Sequence, residues 1–180
     1  MDRSVSKKTW RAIYRLLDMV QPVDYDCGTL CGAACCTFGG GGDEMGIYLM
    51  PGEEAMFTDD EGRPNTDWLE WTVLDPSECG FPESWPGPVY YCRCRPAPQC
   101  HRSLRPLQCR VFPVKPYINE SGLLELIWDY NDLPYTCPLI ESNAEISEDF
   151  FKATYTVWSH LLNCEGIYDL VAEDSEALRE

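Results

Sequence analysis

Eleven cysteines in 180 residues constrain this chain more than any other feature. A secreted disulfide scaffold would begin with an apolar leader. Residues 1–20 instead carry basic side chains throughout, and their apolar run is broken at Asp18. The odd count also forbids complete intramolecular pairing. No apolar stretch reaches the roughly 20 residues of a membrane-spanning helix. The expectation is a cytoplasmic chain with no membrane contact whose thiols stay reduced, and clustered reduced thiols point to metal or redox chemistry.

The cysteines fall into groups. The first is Cys27-x3-Cys31-x3-Cys35-Cys36, four thiols within ten residues, and the second is Cys92-x-Cys94-x5-Cys100-x8-Cys109. Cys137 follows, just before a proline, while Cys79 and Cys164 stand alone and read as small core residues. Thiolate sulfur is a polarizable donor suited to soft and borderline metals. Two groups far apart in sequence that closed on one centre would tie their loops together, so that binding energy becomes folding energy. Fourth neighbours share a helix face, so Cys27, Cys31 and Cys35 can converge from a helical or irregular loop. The Cys-x2-Cys knuckle of common zinc sites and the ferredoxin spacing are both absent. An iron–sulfur cluster is the first expectation and zinc the alternative.

Charge narrows the partners. The formal net charge is −16, which repels phosphate backbones and anionic lipid, so nucleic acid is not expected as a partner. Residues 84–119 nevertheless contain no Asp or Glu and hold Arg93, Arg95, Arg102, Arg105, Arg110 and Lys115. A basic stretch beside thiolates would stabilise their negative charge. The segment from Arg93 to Lys115 is also where an anionic ligand or an acidic protein partner would dock.

The pattern predicts an α+β fold: a small, loop-rich single domain over 1–180, with a core at 26–138 and helical flanks at 5–21 and 147–164. Short antiparallel strands, an N-terminal helix and a long C-terminal helix would surround the cysteine site. Trp10, Ile13, Leu16, Leu17 and Val20 recur at helical spacing, and Pro22 stops the helix. Strands are expected at 47–50, 68–74 and 89–94, with Leu69, Trp71 and Val73 on one face. Tyr117-Ile118 and residues 123–128 flank Asn119-Glu120-Ser121-Gly122 as a hairpin. Ser147 suits the N-cap of the last helix, whose apolar face is read as Phe151, Tyr155, Trp158 and Leu162. Residues 173–180 are acidic and expected to fray. His160 is read as structural, and His101, beside Cys100, as a possible ligand or donor to one. Gly39 to Gly42 reads as a loop without the context of a phosphate-binding turn.

Two blocks carry a family resemblance. Asp26-Cys27-Gly28-Thr29-Leu30-Cys31-Gly32-Ala33-Ala34-Cys35-Cys36 and Cys100-His101-Arg102-Ser103-Leu104-Arg105-Pro106-Leu107-Gln108-Cys109-Arg110-Val111-Phe112-Pro113 resemble the YkgJ-type cysteine-cluster family of zinc- or iron-chelating proteins. Pro51-Gly52-Glu53-Glu54, after Ile47-Tyr48-Leu49, sits where that family has a strand and an acidic helix start. The resemblance implies metal chelation by Cys27, Cys31, Cys35 or Cys36, with Cys100 and Cys109. Cys137, Cys92 and Cys94 are second-rank ligands, the last two being additions to the family pattern. Flagellin lysine-methylase relatives of the family imply an iron–sulfur cluster. An iron–sulfur-dependent methyltransferase-like or other modifying enzyme is one alternative, and a thiol–disulfide redox protein another. No catalytic residue is assigned.

Overall fold

The computed structural model describes residues 4–37, 46–94, 102–130 and 133–179. The chain enters through α1 (Lys7–Asp18), capped by Ser6, whose hydroxyl accepts from the Thr9 N–H at 3.2 Å. Trp10, Ile13, Tyr14 and Leu17 form its buried face, and Trp10 is fully enclosed. The expected Leu16 is partly exposed instead, one helical step off that stripe.

Three short strands make an antiparallel sheet in the order β1-β3-β2, with β1 at Ile47–Tyr48, β2 at Leu69–Leu74 and β3 at Val89–Cys94. The central β3 buries Val89 and Cys92 completely. Edge strand β2 buries Leu69 but leaves Val73 exposed, so the expected alternation decays along it. Between β1 and β2 a 3-10 turn spans Glu53–Met56, entered through Gly52 at φ 85. A Cβ there would run into the Val5 carbonyl, so both the dihedral and the close approach demand glycine.

A two-stranded sheet follows a short helix, α4 (Leu107–Val111). It pairs β4 (Val114–Ile118) with β5 (Leu124–Trp128). The Asn119 side chain accepts from the Ser121 and Leu123 N–H groups, which is why this stretch turns. The strand reaches further back than the hairpin signal because Pro116 sits inside it; with only two strands, its missing N–H can face away from the ladder.

After α5 (Pro138–Glu141) come α6 (Glu148–Leu161) and α7 (Glu165–Ala177). The buried face of α6 is Phe150, Ala153, Thr154, Val157, Trp158 and Leu161, while Phe151 and Tyr155 are exposed. The expected stripe is thus rotated: of the four residues, Trp158 is in the buried set, and the aromatics at 151 and 155 face outward. Ser147 is the N-cap residue without a side-chain capping bond; its N–H donates to the Pro22 carbonyl at 2.8 Å, which ties α6 to the end of α1. The acidic C-terminus does not fray where expected. Ser175 of α7 is buried, accepts from the Ile118 N–H at 2.9 Å and donates to the Val171 carbonyl at 2.6 Å, clamping the helix onto β4. Gly166 lets α7 sit against Ser84 and Trp85, where a Cβ would lie 2.8 Å from backbone.

The fold is α+β with two small antiparallel sheets, as the sequence pattern predicts. Among the described residues, no helix is long and apolar enough to cross a membrane.

Candidate metal centre

The first cysteine group is built from two single helical turns, α2 (Gly28–Cys31) and α3 (Ala34–Thr37). Asp26 starts the first: its carboxylate accepts from the Gly28 N–H at 3.0 Å and its carbonyl from the Thr29 hydroxyl at 2.8 Å. Between the turns Gly32 (φ 62) and Ala33 (φ 57) are both left-handed. Glycine adopts this freely, whereas alanine there costs about 1 kcal/mol. The double reversal keeps the stretch from running on as one helix.

The second contribution comes from α4, which carries Cys109 at its middle. A third comes from Cys137, at the N-cap of α5 with no side-chain capping bond. Sulfurs from these three segments act on one another. The Cys27 thiol is pushed up by burial, then by the charges of Asp26, Cys137 and Cys31, and is drawn down by Arg105. Cys35 is pushed far up, first by its hydrogen bond to Cys36, then by burial and by the charges of Cys36, Cys109 and Cys27. Cys36 moves the other way, because it accepts that hydrogen bond and lies near Arg105. One of the vicinal pair therefore keeps its proton while its neighbour ionises easily.

Tyr135 completes the surroundings. Its phenol is held well above its ordinary value by burial, and after that by Cys35, Asp129, Cys137 and Cys109. A phenol so raised stays protonated and can donate to sulfur. Its ring packs edge-on to Phe112 at 6.1 Å, just beyond α4. Nothing in the local sequence marks this tyrosine, and only its position against three sulfur-bearing segments singles it out.

The expected ligands are thus distributed as follows. Cys27, Cys31, Cys35 and Cys36 lie together on α2 and α3, and Cys109 and Cys137 reach them from elsewhere in the chain. All six are half-buried and free of disulfides. Cys100, Arg95, His101 and the glycine run fall outside the described residues, as does the side chain of Arg102. Cys92 is enclosed in the hydrophobic core, and its thiol is pushed strongly up by burial, then by Glu53 and Cys94. Cys94 packs against the edge of the same core. Cys164 is buried, and Cys79 donates to the Asp75 carbonyl at 3.2 Å. His160 is exposed on the last turn of α6.

The basic segment is partly occupied within the chain. Arg110 pairs with Asp18 at 2.6 Å, Lys115 with Asp129 at 3.5 Å, and Arg93 lies over the Tyr91 ring at 5.5 Å.

Chemically, the donors fit a soft or borderline cation: Cys36 is drawn towards ionisation, while Cys27, chiefly by burial, and Cys35, chiefly by its bond to Cys36, are held from it, with the charges of neighbouring thiols adding to both. A bound cation reverses that repulsion. The spacing is not that of a closed coordination sphere. Among the described residues, no three or more His, Cys, Asp or Glu side chains are arranged to hold a metal ion. Comparison with protein-family models, curated proteins and solved structures gives no match.

Proposed function

We propose that this chain is a metal-binding protein that holds an iron–sulfur cluster, or alternatively zinc, through thiolates drawn from Cys27, Cys31, Cys35, Cys36, Cys100 and Cys109, with Cys137 as a further candidate. One observation carries the reading: Cys35 feels the charges of both Cys27 and Cys109, and Cys27 feels that of Cys137. Half-buried thiols from three segments are near enough for their charges to act on one another, and repulsion between their ionised forms would be relieved by a cation. Core-filling cysteines behave differently, as Cys92 does by vanishing into the apolar interior. The resemblance to the cysteine-cluster family supports the same site, and a reducing cytoplasmic compartment keeps it available. Among the described residues of the basic segment, Arg105 is a cation whose charge reaches the thiols.

The test is elemental analysis of protein purified without oxygen, together with serine replacements at Cys31, Cys35, Cys100 and Cys109. Each replacement is expected to lower metal content. A brown preparation containing iron and sulfide identifies a cluster, and a colourless one with stoichiometric zinc identifies the alternative. Wild-type protein free of bound metal, or metal content unchanged in all four variants, refutes the assignment.

A further inference from the structure

Against α4 runs a buried polar network that a purely packed core would not need. Glu53 is fully enclosed. One carboxylate oxygen accepts from the Tyr14 hydroxyl at 2.7 Å and from the Leu107 N–H at 2.6 Å; the other accepts from the Met50 N–H at 2.9 Å. Arg110 stacks its guanidinium over the Tyr14 ring at 4.0 Å. It donates to Asp18 at 2.6 Å, to the Tyr14 carbonyl at 3.4 Å, to the Ser103 carbonyl at 2.7 Å and to the Arg105 carbonyl.

We propose that Glu53 and Arg110 are positioning residues for the thiol centre: their network fixes α4 and the turn before it, so that the Cys109 sulfur and the Arg105 guanidinium are set against the 27–36 loop. The inference rests on reading the thiols as one centre, though not on which metal fills it.

A five-residue helix cannot hold its own shape, since nucleation outweighs so few hydrogen bonds. Every neighbour of Cys109 on α4 is anchored to the scaffold instead. The Leu107 N–H is taken by Glu53, and the Leu107 and Val111 side chains are buried. Gln108 accepts from the Tyr48 N–H of β1 at 3.2 Å, and Arg110 is clamped to α1. The charge of Cys109, held between these anchors, reaches Cys35. By gripping the carbonyls of Ser103 and Arg105, Arg110 also fixes the backbone that carries Arg105 towards Cys27 and Cys36. A buried carboxylate is a poor way to gain stability, because apolar residues of like volume pack more cheaply. Its use here is directional: three donors from three elements meet it in one geometry. Lysine cannot stand in for Arg110, because only the planar fork donates in several fixed directions while stacking on a ring.

The experiment compares whole-chain wild type, Arg110→Lys, Glu53→Gln and Asp18→Asn, each reduced and metal-free. Asp18 lies at the rim of the network, so its substitution leaves the core intact and yields a folded variant. Alkylation by iodoacetamide is followed cysteine by cysteine by mass spectrometry, and folding by circular dichroism. In folded variants the Cys109 rate is expected to change severalfold relative to Cys31 in the same molecule, while core Cys92 stays protected. Cobalt(II) titration of the same proteins should lose part of the thiolate-to-metal absorption, and Arg110→Lys should not restore it. An unchanged Cys109-to-Cys31 ratio in folded Arg110→Lys and Asp18→Asn overturns the proposal. So does a uniform rise that includes Cys92, which would mean general loosening. If wild type takes up neither cobalt nor any other metal, the metal reading fails, while the metal-free alkylation ratio still decides the positioning role.

Discussion

Glu53 and the cysteine centre are linked through α4, which the first anchors and which carries Cys109, yet they are opposite kinds of polar site. Around the Glu53 carboxylate every lone-pair direction in use meets a donor of the chain itself: a phenol, two backbone N–H groups and the nearby charge of Arg110. Burial still pushes its pKa up, with those partners pulling against it. Around Cys27 and Cys35 the neighbours are largely other thiols and, at Cys27, Asp26, whose charges add to the other causes that hinder ionisation, while the bond from Cys35 favours the ionised form of Cys36. The first site is complete within the polypeptide. The second gathers groups that repel one another once ionised, and among the described residues the charge of Arg105 opposes that repulsion. A buried polar group with all its partners sets geometry; a half-buried cluster of like groups is a place for something to bind.

That contrast can be broken most decisively by loading the thiols. A cation that binds the folded chain at a thousand times its dissociation constant should add about 4 kcal/mol of stability. Thermal unfolding with and without zinc, or iron and sulfide, measures the gain. Cys35→Ser and Cys109→Ser should abolish most of it while leaving metal-free stability within about 0.5 kcal/mol. A metal-independent melting temperature in wild type would erase the distinction between the two sites.

Glu53→Gln tests the other side of the comparison. The new amide turns an N–H towards the Met50 or Leu107 N–H, leaving a buried donor unmatched at a cost of up to about 3 kcal/mol. Denaturant unfolding of metal-free protein reads this directly; a loss near zero would show that the carboxylate is not the anchor it resembles. Cys92→Ser sharpens the point within one residue type. A hydroxyl in that apolar position should cost about 1–2 kcal/mol, and the bound metal should be unchanged by elemental analysis. The smallest effect is expected at the hinge between α2 and α3. Ala33→Gly relieves a left-handed alanine and should stabilise the metal-free chain by about 0.5 kcal/mol, measurable as a small rise in the unfolding midpoint.

Much of the scaffold is legible in local pattern. The α1 stripe of Trp10, Ile13 and Leu17, the Ser6 cap and the Asn119 turn are all short-range effects, and each appears where its residues call for it. On α6, two aromatic stripes compete at helical spacing, and only tertiary packing, against α1 and β5 among others, selects the one through Phe150 and Leu161 over Phe151 and Tyr155. Glu53 reads locally as an acidic helix start, with nothing to announce that it is the fully buried member of the pair with Glu54. Pro116 hides the start of β4 for a similar reason, since its tolerance depends on which side of the strand pairs with β5.

By itself the amino-acid sequence determined the chemistry available: thiols in two dense groups, a basic stretch free of carboxylates, a net charge of −16 and an α+β alternation of elements. Which sulfurs meet was decided only by tertiary structure. Cys92 and Cys109 belong to the same spaced group, but strand alternation in a central strand turns the first into the core, while α4, held by Glu53 and Arg110, presents the second to Cys35. Residue type and spacing are local properties of a chain. Distance between segments depends on how long loops close over a shared core, and no short stretch of sequence contains that information.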